Sequence, residues 1–115
     1  MTNLSSPPPP KTAHLAEPLP LSVVHAAIIQ PVWDYLPRSM NSPAAAIMLL
    51  AIGGQESGFQ HRRQIGGPAR GFWQFEQGGG VRGVLRHIST AAHAREVCRF
   101  RNVNPNQADV YNALE

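Results

Sequence analysis

The sequence has a single cysteine and no long apolar run, and each absence excludes a class of protein. Because Cys98 is alone, no disulfide can form within the chain, and a structural zinc site is not expected. No stretch of about 18 apolar residues is present, so no membrane span is predicted. The first residues have neither a basic start nor an apolar segment, so they do not read as a secretory signal, and synthesis in the cytoplasm is expected.

Lysine is almost absent as well, since nine of the ten basic residues are arginines. Between Glu56 and Val103 the chain holds eight arginines and three acids. Arginine forks suit carboxylates and phosphates, so nucleic acid, anionic membrane surfaces and peptidoglycan are all chemically suitable polyanions. A solvated basic helix face explains the same residues equally well. No nucleic-acid partner is predicted, because no module with base-reading or stacking side chains is recognisable.

The length and composition of the chain predict one small domain preceded by an arm. The chain has 115 residues, of which 43% are hydrophobic. Residues 1–20 contain the run Pro7–Pro10 and two further prolines, which is typical of a disordered or extended linker or docking arm. Residues 21–115 are predicted to form one all-α domain.

Two helices are predicted before a glycine-rich loop at residues 58–80. The first spans residues 21–36, with a kink or break at Pro31 because proline lacks an amide donor. The second begins at an N-cap, Ser42, followed by Pro43. It is apolar nearly all round, so it is expected to be buried.

The loop and the helices after it complete the predicted domain. Phe59, Phe72 and Phe75 are expected to be core residues beneath the loop, which is also a candidate for a short strand pair around Phe72–Phe75. Helical pattern returns at Val81–Ile88. A helix capped by Ser89 and another that begins at Asn104-Pro105 and reaches Glu115 are predicted after it.

Glu56 lies at the end of the second predicted helix and is the main candidate for a catalytic residue. Desolvation by an apolar helix and the partial negative charge of a helix C-terminus both favour a protonated carboxyl. A carboxyl of this kind can act as a general acid near neutral pH. The structural alternative is a helix-end glutamate paired with Arg62 or Arg63.

Two short segments support the chemical interpretation. Glu56-Ser57-Gly58-Phe59 is followed, with Gln74 eighteen positions after Glu56, by Gly71-Phe72-Trp73-Gln74. Their order and spacing resemble the signature of the lytic transglycosylase and goose-type lysozyme branch of the lysozyme-like superfamily. The resemblance covers about residues 43–77 and implies a small lysozyme-like helical fold, with Glu56 as the acid and base that cleaves peptidoglycan.

The resemblance also implies roles for other residues. Ser57 would orient Glu56 or the substrate, while Gln74 and the backbone near Phe72 would hold N-acetyl groups. Trp73 would stack on a sugar or fill the core. Tyr111, in Tyr111-Asn112-Ala113, partly matches a later family element whose tyrosine reaches the catalytic glutamate. Domains of this family continue for several more helices, which leaves open that the domain is incomplete at its C-terminus.

One marked acid favours a lyase mechanism, in which the 6-hydroxyl of muramic acid attacks and leaves a 1,6-anhydro end. Three alternatives stay open, the third being a basic helical protein that binds nucleic acid. A lysozyme-type hydrolase would need a second carboxylate, for which Glu76 is the nearest candidate. A non-catalytic virion or peptidoglycan-binding protein would retain Glu56 and Ser57 only by descent.

No metal or other cofactor is predicted, because the five histidines show no ligand spacing. His61 follows Glu56 by five positions and is expected either to tune it or to lie at the surface. The small size, the missing signal and the arm favour a bacteriophage or prophage protein that acts from the virion or in the host periplasm. The arm would then contact other virion proteins, and glycan strands would be the substrate.

Overall fold

A computed structural model describes residues 14–115 of the chain. The predicted arm residues Pro7–Pro10 lie outside this described part. Within it the regular elements are helices, and the only β pairing consists of three isolated bridges between single residues. The predicted all-α fold is therefore confirmed.

Six short α-helices follow one another along the described chain. They are α1 (Leu21–Val24), α2 (Gln30–Trp33), α3 (Pro43–Ser57), α4 (Arg82–Arg86), α5 (Ala91–Phe100) and α6 (Gln107–Ala113). Wider π-helical turns occupy His25–Ile29 and Gln77–Val81, and a 3₁₀ turn occupies Arg38–Met40.

Helices α1 and α2 and the π turn between them form one uninterrupted helical segment. The Gln30 amide donates to the carbonyl of His25, which is the five-residue spacing of a π turn. Pro31 follows directly and has no amide to donate. The predicted irregularity thus lies just before Pro31, and the segment ends at Trp33 instead of Leu36.

The predicted start of α3 is confirmed. The Ser42 hydroxyl accepts a hydrogen bond of 3.0 Å from the Ala45 amide, and Pro43 occupies the first helical position. At the other end Gly58 takes a left-handed conformation with φ +62°, and its amide donates to the Gly54 carbonyl at 2.9 Å. Glu56 is therefore held in the last turn of α3.

The predicted burial of α3 is wrong for one of its faces. Leu49 and Leu50 pack against the core, whereas Ile47, Met48 and Ile52 are 69%, 62% and 44% exposed. Exposed apolar residues recur at helical spacing and form the α3 stripe: Ala44, Ile47, Met48, Ala51 and Ile52. An all-round apolar sequence does not specify which faces find neighbours, and residues 14–115 cover only one face of α3.

The described core has two parts. The first is a cluster of buried side chains: Val24, Ile29, Trp33, Phe59 and Phe72. The second surrounds an apolar cavity of about 580 Å³ whose lining includes Leu49, Phe75, Val81, Leu85, Val97 and Cys98. Cys98 is buried. Phe75 lines this cavity but is 37% exposed, so it is core on one side only.

Residues 14–20, which the sequence assigns to the arm, lie along the domain and are called the strap below. The Leu15 amide donates to the Gln60 carbonyl at 2.8 Å, and the Leu19 amide to the Phe59 carbonyl at 3.0 Å. Both leucines pack against the first core cluster. The strap therefore borders the turn that follows α3.

The glycine triplet at residues 78–80 is not the loop that the sequence predicts, since it lies in the π turn before α4. A Cβ atom added to Gly80 would come within 2.8 Å of the Phe75 ring, so a glycine is needed for this close approach. Ile88 was predicted to be helical, but it lies after α4 and is 92% exposed.

The last two helices begin later than predicted. Thr90, not Ser89, precedes α5, and its hydroxyl donates to the Val84 carbonyl at 2.7 Å. Asn106, not Asn104, caps α6, because its side-chain oxygen accepts from the Asp109 amide at 2.8 Å. Helix α6 ends at Ala113 instead of Glu115.

Candidate active site

Glu56 and Gln74 line the same polar pocket, although eighteen positions separate them in the sequence. The pocket has a volume of about 510 Å³, and Glu76 and His61 also contribute to its wall. Glu56 comes from the last turn of α3, whereas Gln74 and Glu76 come from the loop that returns toward it. Two carboxylates, an imidazole and amide groups thus share one concave surface.

The Glu56 side chain is exposed, which corrects the expectation of a carboxyl desolvated by an apolar helix. The buried positions in this part of α3 are Gly53 and Ser57, on either side of Glu56 in the sequence. Residue 56 lies to one side of the face that these two residues bury, about 60° around the helix from Gly53 and about 100° from Ser57. The position near the helix C-terminus is as predicted, but within residues 14–115 Glu56 is exposed.

The Ser57 hydroxyl is bonded within the turn after α3, and the orienting role that the resemblance implies stays a prediction. The hydroxyl is buried, donates to the Gly53 carbonyl at 2.9 Å and accepts from the Phe59 amide at 3.1 Å. These bonds hold the turn after α3, where Phe59 has φ +52°. Both partners of the hydroxyl are backbone groups, so Ser57 positions the turn and does not face the pocket.

Phe72 and Trp73 pack beneath the site instead of lining it. Both rings meet Phe59 edge-on at centroid distances of 5.7 Å. Phe72 is buried with the Arg62 guanidinium 4.9 Å from its ring centroid. Trp73 is half-buried, and its indole N–H donates to the Leu49 carbonyl at 2.9 Å. The core role considered for Trp73 therefore fits its position better than a sugar-stacking role.

Gln74 is held in a strained local conformation with φ +53°. Its side-chain nitrogen donates to the Gly71 carbonyl at 2.8 Å. Gly71 itself has φ +78°, and a Cβ there would lie 3.2 Å from the Leu114 carbonyl oxygen. This bond uses one of the two amide hydrogens of Gln74, whose Oε1 atom is the acceptor of the side chain.

Tyr111 does not reach Glu56 but supports the loop behind the pocket. Its hydroxyl donates to the carbonyl of Pro68, a residue of the pocket wall. The Arg70 guanidinium lies 4.1 Å from the centre of the Tyr111 ring and donates to the Asn112 side chain at 2.9 Å. The tyrosine of the partial family element thus positions the loop.

No sequence motif marks Glu76, which was only the nearest candidate for a second carboxylate, and nothing in the sequence links His61 to His14. Glu76 lies outside both matched segments, and only the fold of the loop brings it to the pocket. The Nδ1 atom of His61 lies 3.0 Å from the Nδ1 atom of His14 in the strap. No sequence signal links two histidines that are 47 positions apart.

The described residues contain no group of side chains that could hold a metal ion. Across residues 14–115, no three His, Cys, Asp or Glu side chains are grouped as a metal ion would require. None of the helices in this range is long and apolar enough to cross a membrane.

Two pKa shifts occur outside the pocket. Burial raises the pKa of the Cys98 thiol above its usual value. Hydrogen bonds from the side chains of Asn106 and Asn104 lower the pKa of the Asp109 carboxyl.

Comparison with known proteins gives no relative from which a role could be transferred. No protein-family model, no curated protein and no solved structure matches the chain. The function must therefore be inferred from the pocket and from the two sequence segments that meet in it.

Proposed function

We propose that this protein cleaves the glycosidic bonds of peptidoglycan strands, with Glu56 as the acid and base. The single observation that carries the proposal is that Glu56 and Gln74 line one pocket. These two residues mark the two segments that resemble the lytic transglycosylase signature. A second support is the pocket volume of about 510 Å³, which lies in the range of small-ligand sites.

The exposure of Glu56 requires that the substrate complete its environment. A glycan strand laid over the pocket would remove water from the carboxyl and thereby favour its protonated form. The Oε1 atom of Gln74 would accept the N–H of an N-acetyl group. Surface arginines of the same region would meet the lactyl and peptide carboxylates of the wall.

The proposed reaction is a lytic transglycosylase step at the bond between MurNAc and GlcNAc. Glu56 donates its proton to the glycosidic oxygen, and the GlcNAc hydroxyl leaves with that proton. The Glu56 carboxylate then removes the proton of the muramic acid 6-hydroxyl, whose oxygen bonds to C1. The product carries a 1,6-anhydro ring, no water is consumed, and Glu56 regains its proton.

A lysozyme-type hydrolase is a second candidate, and one observation favours it. Glu76 lines the same pocket as Glu56, so a second carboxylate is present where hydrolysis would need one. In that mechanism Glu76 would activate a water molecule or stabilise the charged sugar. Water would then add to C1 and leave a reducing end.

We also propose that the protein serves a phage in wall penetration or lysis. The small size of the domain and the proline-rich residues 7–10 support this setting. In it, a non-catalytic role in the virion or on the wall is the remaining alternative.

Digestion of purified sacculi followed by mass spectrometry tests these proposals together. We expect anhydromuramyl products from the wild type and none from Glu56→Gln, with Glu76→Gln largely active. Glu96→Gln is a matched control, because Glu96 lies on α5 and pairs with Arg99. Reducing ends that disappear in Glu76→Gln would establish the hydrolase instead. Sacculi that bind the wild type but release no fragment would reject catalysis.

A further inference from the structure

The strap is fastened to the candidate site by two histidines. The Nδ1 atoms of His14 and His61 are 3.0 Å apart, and their rings meet edge-on with centroids 5.1 Å apart. The backbones of the same two residues form an isolated antiparallel bridge. His61 is half-buried and lines the pocket that contains Glu56. One imidazole pair thus joins the N-terminal end of the described chain to the pocket wall.

This contact depends on the number of protons that the pair carries. A bond between two Nδ1 atoms needs one N–H donor and one free lone pair. A neutral pair and a pair with one extra proton can both supply these. A pair with two positive rings has two donors, no acceptor and like charges in contact, so the bond is lost. Histidine side chains change charge between about pH 5 and 8.

Charged groups of both signs lie near His61. Glu56 from α3 and Glu76 from the loop line the pocket with it. Arg63 pairs with Glu115 at 2.5 Å, and Arg62 lies over the Phe72 ring.

On the strap, the acid nearest to His14 in the sequence is Glu17, which is exposed. No other charged residue precedes Leu19 in the described strap.

The rest of the strap is attached through groups that do not titrate. The Gln60 side chain donates to the carbonyls of Leu15 and Ala16 at 3.0 and 3.3 Å, next to the Leu15 backbone bond. Leu19 packs against the core cluster and bonds to the Phe59 carbonyl. Loss of the histidine contact would therefore release His14, leave the neighbouring Leu15 with its hydrogen bonds to Gln60 alone, and keep Leu19 in place.

We propose that the His14–His61 pair is a pH-sensitive latch, which holds the strap against the loop at neutral pH and releases its N-terminal end when both rings are charged. Release also frees the Nδ1 atom of His61 and removes the constraint on a side chain of the pocket wall. As a regulator of wall cleavage, the latch rests on the proposed function. As a fastening of the strap, it is independent of any activity.

Amide hydrogen exchange measured by NMR on the full chain tests the latch directly. We expect the protection factor of the Leu15 amide, corrected for intrinsic exchange, to fall about five- to tenfold between pH 7 and pH 5, the ratio for one ordinary hydrogen bond. The Leu19 amide should keep its protection. His14→Ala should show low Leu15 protection at both pH values.

His87→Ala is the control, because His87 is an exposed histidine whose ring partner is Ser89; it should behave as the wild type. Equal protection of Leu15 at both pH values in the wild type, or unchanged protection in His14→Ala at pH 7, would overturn the latch. These readouts need no substrate, so an inactive protein can still carry a working latch. An active protein can equally be shown to lack one.

Discussion

The indole nitrogen of Trp73 donates a hydrogen bond of 2.9 Å to the backbone carbonyl of Leu49, which lies two helical turns before Glu56 in α3. This bond ties the loop that carries Gln74 to the helix that carries Glu56. The relative position of the two pocket residues therefore depends on a tryptophan that does not line the pocket itself.

Replacement of Trp73 by phenylalanine removes this bond and keeps an aromatic ring against Phe59. We expect the free energy of unfolding to fall by about 1–3 kcal/mol, from the lost bond and the smaller ring. Urea unfolding followed by circular dichroism measures this change. Tyr35→Phe, at an exposed ring that stacks on Phe100, should change stability by less. Equal stability losses in the two variants would contradict the tie between loop and helix.

Gly53 and Gly54 are adjacent in α3, but we expect their substitution by alanine to have opposite effects on stability. A Cβ at Gly53 would lie 2.5 Å from two atoms of the Phe59 ring, which is only 2% exposed and cannot move aside easily. We expect Gly53→Ala to cost about 1–3 kcal/mol of stability. At Gly54 the nearest atom is 3.8 Å away, so alanine should add up to about 1 kcal/mol through helix propensity. Thermal unfolding of the two variants measures the expected loss and the expected gain of stability.

Because the Cys98 thiol is buried, we expect the free energy of unfolding to decline in alkaline solution. Because burial raises the folded-state pKa, the unfolded chain releases the thiol proton first as the pH rises. This contribution is complete below the unfolded thiol pKa and is lost as the pH rises through the folded value. Cys98→Ala should have a shallower decline of unfolding free energy above about pH 8, measured by urea titration at several pH values. A thiol reagent should also modify the folded chain far more slowly than the unfolded one, and equal rates would contradict burial.

Replacement of Asn106 is expected to remove both the cap of α6 and the stability that the Asp109 carboxylate contributes at neutral pH. Asn106→Ala removes the cap of α6, at a cost of about 1 kcal/mol. It also removes the main cause of the lowered pKa of Asp109. Because the pKa of Asp109 is lowered in the folded state, its carboxylate adds to the free energy of unfolding above the pH range in which aspartate usually titrates. This contribution is lost as the pH falls through the folded-state pKa. Asn104→Ala keeps the cap and removes only the lesser bond. An NMR titration of Asp109 should show a larger upward shift in Asn106→Ala than in Asn104→Ala.

Local chemistry made part of the fold predictable. The start of α3 followed from Ser42 and Pro43, because a cap and a first-turn proline act within a few residues. The caps of the last two helices were misplaced by one or two positions, since Ser89, Thr90, Asn104 and Asn106 are all chemically able to cap. The turn at residues 77–81 could not be predicted, because it depends on the contact between Gly80 and Phe75.

The site was predictable only where the spacing of residues in the sequence indicated that they lie close together in the fold. The spacing of Glu56 and Gln74 indicated a shared pocket, and both line one. Glu76 reaches it through the path of the loop, and His61 meets His14 through the strap. Periodicity detects neither relationship. The burial of Ser57 was hidden for the same reason, since its partners are backbone groups that the turn after α3 brings together.

The α3 stripe has a practical consequence for handling the protein. Hydrocarbon side chains without an intervening charge make a surface that adheres to other surfaces. Concentrated stocks are consequently expected to scatter light and to lose material to resin and plastic. A lysine in place of Met48, whose side chain is in water already, should restore recovery and leave the fold intact.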